Sequence, residues 1–200
     1  MMSNNMIYKL FPEPVFKYKL ENFKNLNKDL SKYIYELRDE DSEGLKRSNK
    51  GGWHSNFFNL GIKNSIQHNF TLEIQKYIVD VFQNYGWKTK NVPITISEMW
   101  AIINKNEDFN VLHSHPNCYL SAAYYVKAPP NCGKFEIECP NIARFNSFPV
   151  IEKATDLNLR TISIDISEGD LLIFPNYLPH KVAKNHSGED RIVISFNVKV

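Results

Sequence analysis

The spacing of apolar residues changes once along the chain, from a helical period to a strand period. Residues 22–38 and 66–85 repeat apolar side chains at three- and four-residue steps, which predicts two amphipathic helices, the second capped by Asn64 or Ser65. Residues 7–20 contain two prolines, so we expect an extended segment along a sheet edge there.

Beyond residue 92, short runs of β-branched and aromatic residues alternate with turn residues. The expected strands are 93–103, 109–115, 118–127, 134–139, 160–166, 170–174, 180–184 and 190–199. Eight short strands with tight turns favour an antiparallel sandwich or jelly roll over a βαβ fold. The second helix carries an apolar stripe that needs a cover, so we expect the N-terminal helices to pack on one sheet.

Length and charge limit the number of domains and the choice of partners. A chain of 200 residues suits one domain, with residues 1–91 forming the extended segment and helices and residues 92–200 the β core. A net charge of +2, from 24 basic and 22 acidic residues, gives no general attraction to nucleic acid or anionic membranes. We therefore expect neither as a partner, while a homodimer through a barrel edge stays open.

The cysteines and the N-terminus bear on cellular location. Cys118, Cys132 and Cys139 are odd in number and lack CxxC spacing, which favours reduced thiols over disulfides or a zinc site. The first residues show no secretory signal, and no apolar run reaches the length of a membrane span. These features predict a cytoplasmic protein.

Three of the six histidines are candidates for a metal site. His113 and His115 are two residues apart on an expected strand, so both should project from one face. His180 lies in a turn that enters another strand. Three neutral imidazoles from two strands would form an open metal site, although a single strand histidine is more often only structural.

The other histidines carry weaker signals. His68 on the second helix and His186 beside a Ser-Gly turn are expected to be solvated. His54, which follows Gly52-Trp53, is a candidate for lining a pocket, as is Trp100, but either residue would serve equally in packing.

The order of motifs after residue 95 resembles a known family. H-S-H, L-S-A-A-Y-Y-V, G-D-L-L-I-F-P, P-H-K-V and D-R-I-V-I-S-F-N follow one another up to residue 197. This order resembles the 2-oxoglutarate- and Fe(II)-dependent oxygenases, on the prolyl-hydroxylase-like branch that includes small bacterial and phage members. The resemblance implies a mainly β double-stranded β-helix with iron at its open end. It also allows a phage protein that acts in a bacterial host.

The resemblance implies a role for particular residues. His113 and His180 would bind Fe(II), and Arg191 would hold the far carboxylate of 2-oxoglutarate, for which its planar guanidinium is suited. Tyr125 and, on a weaker match, Asn104 would also contact this cosubstrate. Taken alone, Arg191 would be read as a solvated charge and Tyr125 as core packing.

The sequence departs from the family pattern at one metal position. The family usually has His-x-Asp or His-x-Glu, and this chain has His115 at the acidic position. His115 would bind iron, or swing away and leave water or an anion in its place, or give way to Glu136 or Glu138. We favour the first alternative because the spacing is kept and imidazole is a competent iron ligand.

The implied function is a dioxygenase that hydroxylates an unknown small molecule or protein side chain and releases succinate and CO2. One alternative is a cupin-like three-histidine metalloenzyme that does not use 2-oxoglutarate and therefore has no need of Arg191 inside the barrel. Another is a non-catalytic jelly-roll binding module in which the histidines are incidental.

Overall fold

The computed structural model describes residues 6–146 and 149–200, which form two β-sheets and two long helices. The helices are α1 (Phe23–Glu40) and α2 (Ile66–Asn84), and a 3-10 helix spans Ile142–Phe145. The strands are β1 (Phe16–Lys19), β2 (Asn49–Lys50), β3 (Trp53–His54), β4 (Thr95–Asn104), β5 (Phe109–His113), β6 (Leu120–Lys127), β7 (Phe135–Glu138), β8 (Thr161–Ile164), β9 (Asp170–Pro175), β10 (His180–Val182) and β11 (Arg191–Lys199).

The two sheets face each other and are antiparallel at every described strand pair. One sheet has the order β1-β9-β6-β11-β4-β3 and the other the order β2-β5-β10-β7-β8. The expected double-stranded β-helix is therefore confirmed, and β1 is the predicted edge segment. Strands β2 and β3 were not predicted, because two residues are too short to show an alternation of apolar and polar positions.

Both helices share a hydrophobic core with the six-stranded sheet. Leu30 of α1 and Phe70 of α2 are fully buried in the same core cluster as Tyr124 of β6. The Tyr124 hydroxyl donates a hydrogen bond to Asn27 Oδ1 at 2.6 Å, which ties α1 to the sheet. None of the described helices is long and apolar enough to cross a membrane.

Strand β11 is buried on both of its faces, which explains its nearly continuous apolar sequence. The residues that pack under the helices are Ile192, Ile194, Phe196 and Val198. The residues that line the space between the sheets are Arg191, Val193, Ser195 and Asn197. One strand thus supports the helical layer and forms a wall of the interior cavity.

A buried carboxylate joins the edge strand β1 to its neighbour β9. Asp170 is 1% exposed and accepts hydrogen bonds from Lys17 and Lys19 Nζ, at 3.0 and 2.8 Å. Burial raises the pKa of Asp170, but the bonds from Lys19 and Lys17 outweigh burial, so this pKa lies below its usual value. Asp170 therefore stabilises the fold in its ionised form.

We expect Asp170→Asn to lower the free energy of unfolding by about 2 kcal/mol at neutral pH, because hydrogen bonds to a charged group are lost. A group with a lowered folded-state pKa contributes stability above its unfolded pKa and loses it as pH falls through the folded value. The gap between wild type and variant in urea denaturation should therefore narrow in acid. Asp165→Asn is the matched control, because its carboxylate is 85% exposed and its pair with Lys134 contributes little. Equal losses in both variants would contradict the assignment.

Candidate metal centre

Three imidazole rings meet between the two sheets. His113 ends β5 and His180 begins β10, and their Cα atoms are direct partners across the two strands. Their ring centroids are 4.4 Å apart, and each lies 5.2 Å from the ring of His115. One ring nitrogen from each histidine lies within 4.8 Å of the others. This spacing is suitable for one metal ion bound by three nitrogen ligands.

His115 reaches the cluster differently from the way the sequence predicted. Strand β5 ends at His113, two residues earlier than expected, so His115 lies outside the strand. Asn176 holds it instead: the His115 N–H donates to Asn176 O at 3.0 Å, and Asn176 Nδ2 donates to His115 O at 2.7 Å. Hydrogen bonds from a loop residue, and not strand alternation, therefore hold the backbone of His115 in place.

The hydrogen bonds of the rings fix which nitrogen is free. Nδ1 of His113 lies 2.7 Å from Val111 O, Nδ1 of His180 lies 2.9 Å from Leu178 O, and Nδ1 of His115 lies 2.7 Å from a side-chain amide oxygen. Carbonyl oxygens only accept hydrogen bonds, so each Nδ1 carries the proton. Each Nε2 then keeps its lone pair, which is the form of histidine that binds a metal.

Burial keeps these imidazoles neutral. It lowers the pKa of His113 and His115, and it lowers that of His180 to about 3, with the neighbouring charge of His113 as a further cause. The three rings therefore present uncharged nitrogen donors at neutral pH.

Arg191 is a fully buried cation in the same cavity. Its Nη1 donates to the backbone oxygens of Cys132 and Ala183, but Nε and Nη2 are buried without a hydrogen-bond partner. Asp190, the adjacent carboxylate, instead contacts Tyr35 and Arg38. Burial lowers the pKa of Arg191 from its very high ordinary value. Arg191 is therefore not the solvated charge that it would be taken for on its own.

Two further donors accompany Arg191. Asn104 is its Cα partner across β4 and β11, and Tyr125 is the partner of Val193. Both are buried, and Asn104 Nδ2 and the Tyr125 hydroxyl also lack hydrogen-bond partners. Burial raises the pKa of Tyr125, so its hydroxyl keeps its proton. Buried donors are nearly always satisfied, so these atoms fit a bound acceptor such as a carboxylate.

An aromatic wall closes one side of the cavity, whose volume is about 640 Å³. His54 stacks on Trp100 with a centroid distance of 5.7 Å, and Trp100 lies 5.6 Å from His115. The pairing of His54 with Ile102 across β3 and β4 brings His54 here. Trp53, its neighbour, points the other way and bonds to a backbone oxygen outside the cavity.

The remaining candidates lie elsewhere. His186 bonds to Glu107 at the surface, and His68 is on α2, away from the cavity. Glu136 and Glu138 pair with Lys181 at 3.5 and 3.4 Å. Among the described residues, the cluster of possible metal ligands consists of the three histidines and includes neither glutamate, so the structure lends no support to the alternative in which one of them replaces His115. The three cysteines are separate free thiols.

A double-stranded β-helix that holds three free imidazole nitrogens and a buried guanidinium defines a class of non-haem metal protein with room for an anionic ligand. The family model described as "Putative 2OG-Fe(II) oxygenase" matches residues 98–197, half of the chain. The chain belongs to this family of 2-oxoglutarate- and Fe(II)-dependent oxygenases. The resemblance that the motifs indicated is thereby confirmed.

Solved structures agree on the fold. A prolyl-4-hydroxylase from Pseudomonas putida is 12% identical, with a TM-score of 0.65 and 94% of each chain covered. HygX from Streptomyces hygroscopicus, crystallised with nickel, 2-oxoglutarate and hygromycin B, is 12% identical, with a TM-score of 0.64 over 94% of this chain and 83% of that one. A viral collagen prolyl hydroxylase from Paramecium bursaria Chlorella virus-1 is 13% identical, with a TM-score of 0.59 over 93% of this chain and 96% of that one. No curated protein matches the chain.

Proposed function

We propose that this chain is a hydroxylating oxygenase in which His113, His115 and His180 hold Fe(II) and Arg191 anchors 2-oxoglutarate. The observation that carries the proposal is the buried guanidinium whose Nε and Nη2 atoms lack partners in the cavity of the three imidazoles.

The donor set supports a divalent transition metal. Imidazole suits Fe and Ni, and three protein ligands leave coordination positions open. HygX, a fold relative, has been crystallised with nickel and 2-oxoglutarate. Three neutral ligands leave the 2+ charge of the metal intact, which favours an anionic cosubstrate more strongly than a site with a carboxylate ligand.

The far end of the cavity supports a dicarboxylate cosubstrate. The Nε and Nη2 edge of Arg191 offers two parallel N–H groups, which match the two oxygens of a carboxylate. Tyr125 and Asn104 add donors in the same cavity. A cupin-like metalloenzyme without 2-oxoglutarate leaves these buried donors without a function, so we favour the oxygenase.

When bound, Fe(II) and 2-oxoglutarate would supply the oxidising chemistry, with dioxygen consumed and succinate and CO2 released. The chain itself would bind and orient the metal, the cosubstrate and the substrate, and it would exclude water from the site. The rings of Phe174 and Phe135 pack on the ring of His180 with centroid distances of 4.7 and 5.4 Å, and Val193 lines the same cavity. This apolar lining shields a reactive centre from solvent. A small molecule or a protein side chain would approach along the wall of His54 and Trp100.

Succinate formation tests the proposal. Protein loaded with Fe(II) without oxygen, then given 2-oxoglutarate and air, should release succinate slowly, and faster when a panel of candidate substrates includes an accepted one. Titration of 2-oxoglutarate into Fe(II)-loaded protein without oxygen measures binding separately. Protein that holds metal but neither binds nor consumes 2-oxoglutarate would indicate the cupin-like alternative, and protein that holds no metal would indicate the non-catalytic module.

A further inference from the structure

We propose that Asn197 and Glu98 are positioning residues that fix His115 in the tautomer with a free Nε2. This inference rests on the proposed function in so far as His115 is taken as a metal ligand.

A short series of hydrogen bonds links the ring of His115 to the carboxylate of Glu98. Asn197 is 4% exposed, and its Oδ1 lies 2.7 Å from His115 Nδ1 and 3.1 Å from Ser121 Oγ. Its Nδ2 donates to Glu98 Oε2 at 2.7 Å. Asn197 and Glu98 are Cα partners across β11 and β4, so the backbone register holds the two side chains together.

The order of donors and acceptors along these hydrogen bonds decides which tautomer His115 adopts. An asparagine amide can turn over and present either its oxygen or its nitrogen to a neighbour. The Glu98 carboxylate only accepts hydrogen bonds, so it captures Nδ2 and turns Oδ1 toward His115. His115 must then donate from Nδ1, which leaves the lone pair on Nε2. Without Glu98 the amide loses this anchor and can face His115 in either orientation.

His115 depends on this arrangement more than the other two rings do. Nδ1 of His113 and of His180 bonds to a backbone oxygen two residues earlier, at Val111 and Leu178, and a backbone oxygen cannot turn over. His115 bonds to a side chain instead. It also occupies the position at which the family usually carries an acidic ligand. In this chain a carboxylate is still present, but it acts through Asn197 and the imidazole.

The test compares Glu98→Gln with Glu98→Leu. Nitrogen NMR of the histidine rings in the metal-free protein reports the tautomer, and titration with Ni(II) alone reports affinity. Glutamine offers Asn197 an acceptor but can also turn over and donate, so Glu98→Gln should keep more of the Nδ1-protonated tautomer than Glu98→Leu does, but less than wild type. Glu98→Leu and Asn197→Ala should show the other tautomer or a mixture, with Ni(II) affinity about 10- to 100-fold weaker.

Glu107→Leu is the matched control, because Glu107 also bonds to an imidazole, that of His186, at the surface. It should change neither the tautomer of His115 nor the affinity for Ni(II). A His115 that stays protonated on Nδ1 with full Ni(II) affinity in Glu98→Leu would overturn the inference. Because the tautomer is read without metal, this result is separate from a wild-type protein that fails to bind Ni(II), which would overturn the proposed function.

Discussion

Replacement of His180 by alanine is expected to abolish stable Fe(II) binding. His180 is 4% exposed and packs against both other rings of the cluster, so its loss leaves two imidazoles and a void at the centre of the site. Structural Zn²⁺ sites with four ligands bind with about 10–16 kcal/mol in total, so the loss of one ligand should lower affinity by about two orders of magnitude or more. Metal analysis after anaerobic loading and desalting measures the change.

The control for this variant is His186→Ala, which removes a 61% exposed imidazole and should leave the iron content unaltered. Circular dichroism and thermal unfolding show whether the His180 variant keeps its fold. A folded His180→Ala protein that retains the iron content of wild type would refute the assignment of this ligand.

Replacement of Arg191 by methionine is expected to remove 2-oxoglutarate binding while the metal is retained. Truncation of one partner of a buried, hydrogen-bonded charge pair costs about 2–5 kcal/mol of binding free energy. Methionine is preferred to alanine because it fills most of the volume of this fully buried side chain. Titration of 2-oxoglutarate into Ni(II)-loaded protein measures the loss.

For Arg191→Met we also expect a different effect on stability than on 2-oxoglutarate binding. In the protein without cosubstrate, Arg191 is a buried cation that no described carboxylate pairs with. An apolar side chain of similar size removes the cost of burying a charge, but it also removes the hydrogen bonds to Cys132 O and Ala183 O. Because these two effects oppose each other, we expect Arg191→Met to unfold at about the same temperature as wild type, and to lose the stabilisation that added 2-oxoglutarate gives wild type. Arg38→Met, which removes a partly exposed guanidinium of α1 outside the cavity, should keep that response. An unaltered dissociation constant for 2-oxoglutarate would contradict the role of Arg191.

Local patterns predicted most of the fold because they report which faces of an element are buried. The helical stripes around Leu30 and Phe70 and the eight strands from β4 to β11 were all predicted within a few residues. The pairing of β3 with β4, which brings His54 into the cavity, was not predicted. That pairing joins segments about 50 residues apart, and no local periodicity records it.

The candidate site, like the fold, could be predicted from the sequence only in part. The motifs indicated His113, His180 and Arg191, but not Asn176, which clamps His115, or Asn197, which orients its ring. A signal for Asn197 was present: it falls on the same alternate positions of β11 as Arg191, on a strand whose other residues are nearly all apolar. A polar residue on the inward face of such a strand needs an internal partner. The identity of that partner depends on the register of β4, which the sequence alone does not give.

The two-sided burial of β11 limits how this protein can diversify. A change of volume at Phe196, under the helices, would shift the backbone that carries Asn197, because packed interiors transmit displacement. Variation within the strand would therefore disturb the helical layer and the chemistry together. New substrate preferences should arise at the exposed rim, for example at Arg47 and Phe57, where side chains can be exchanged without moving the scaffold.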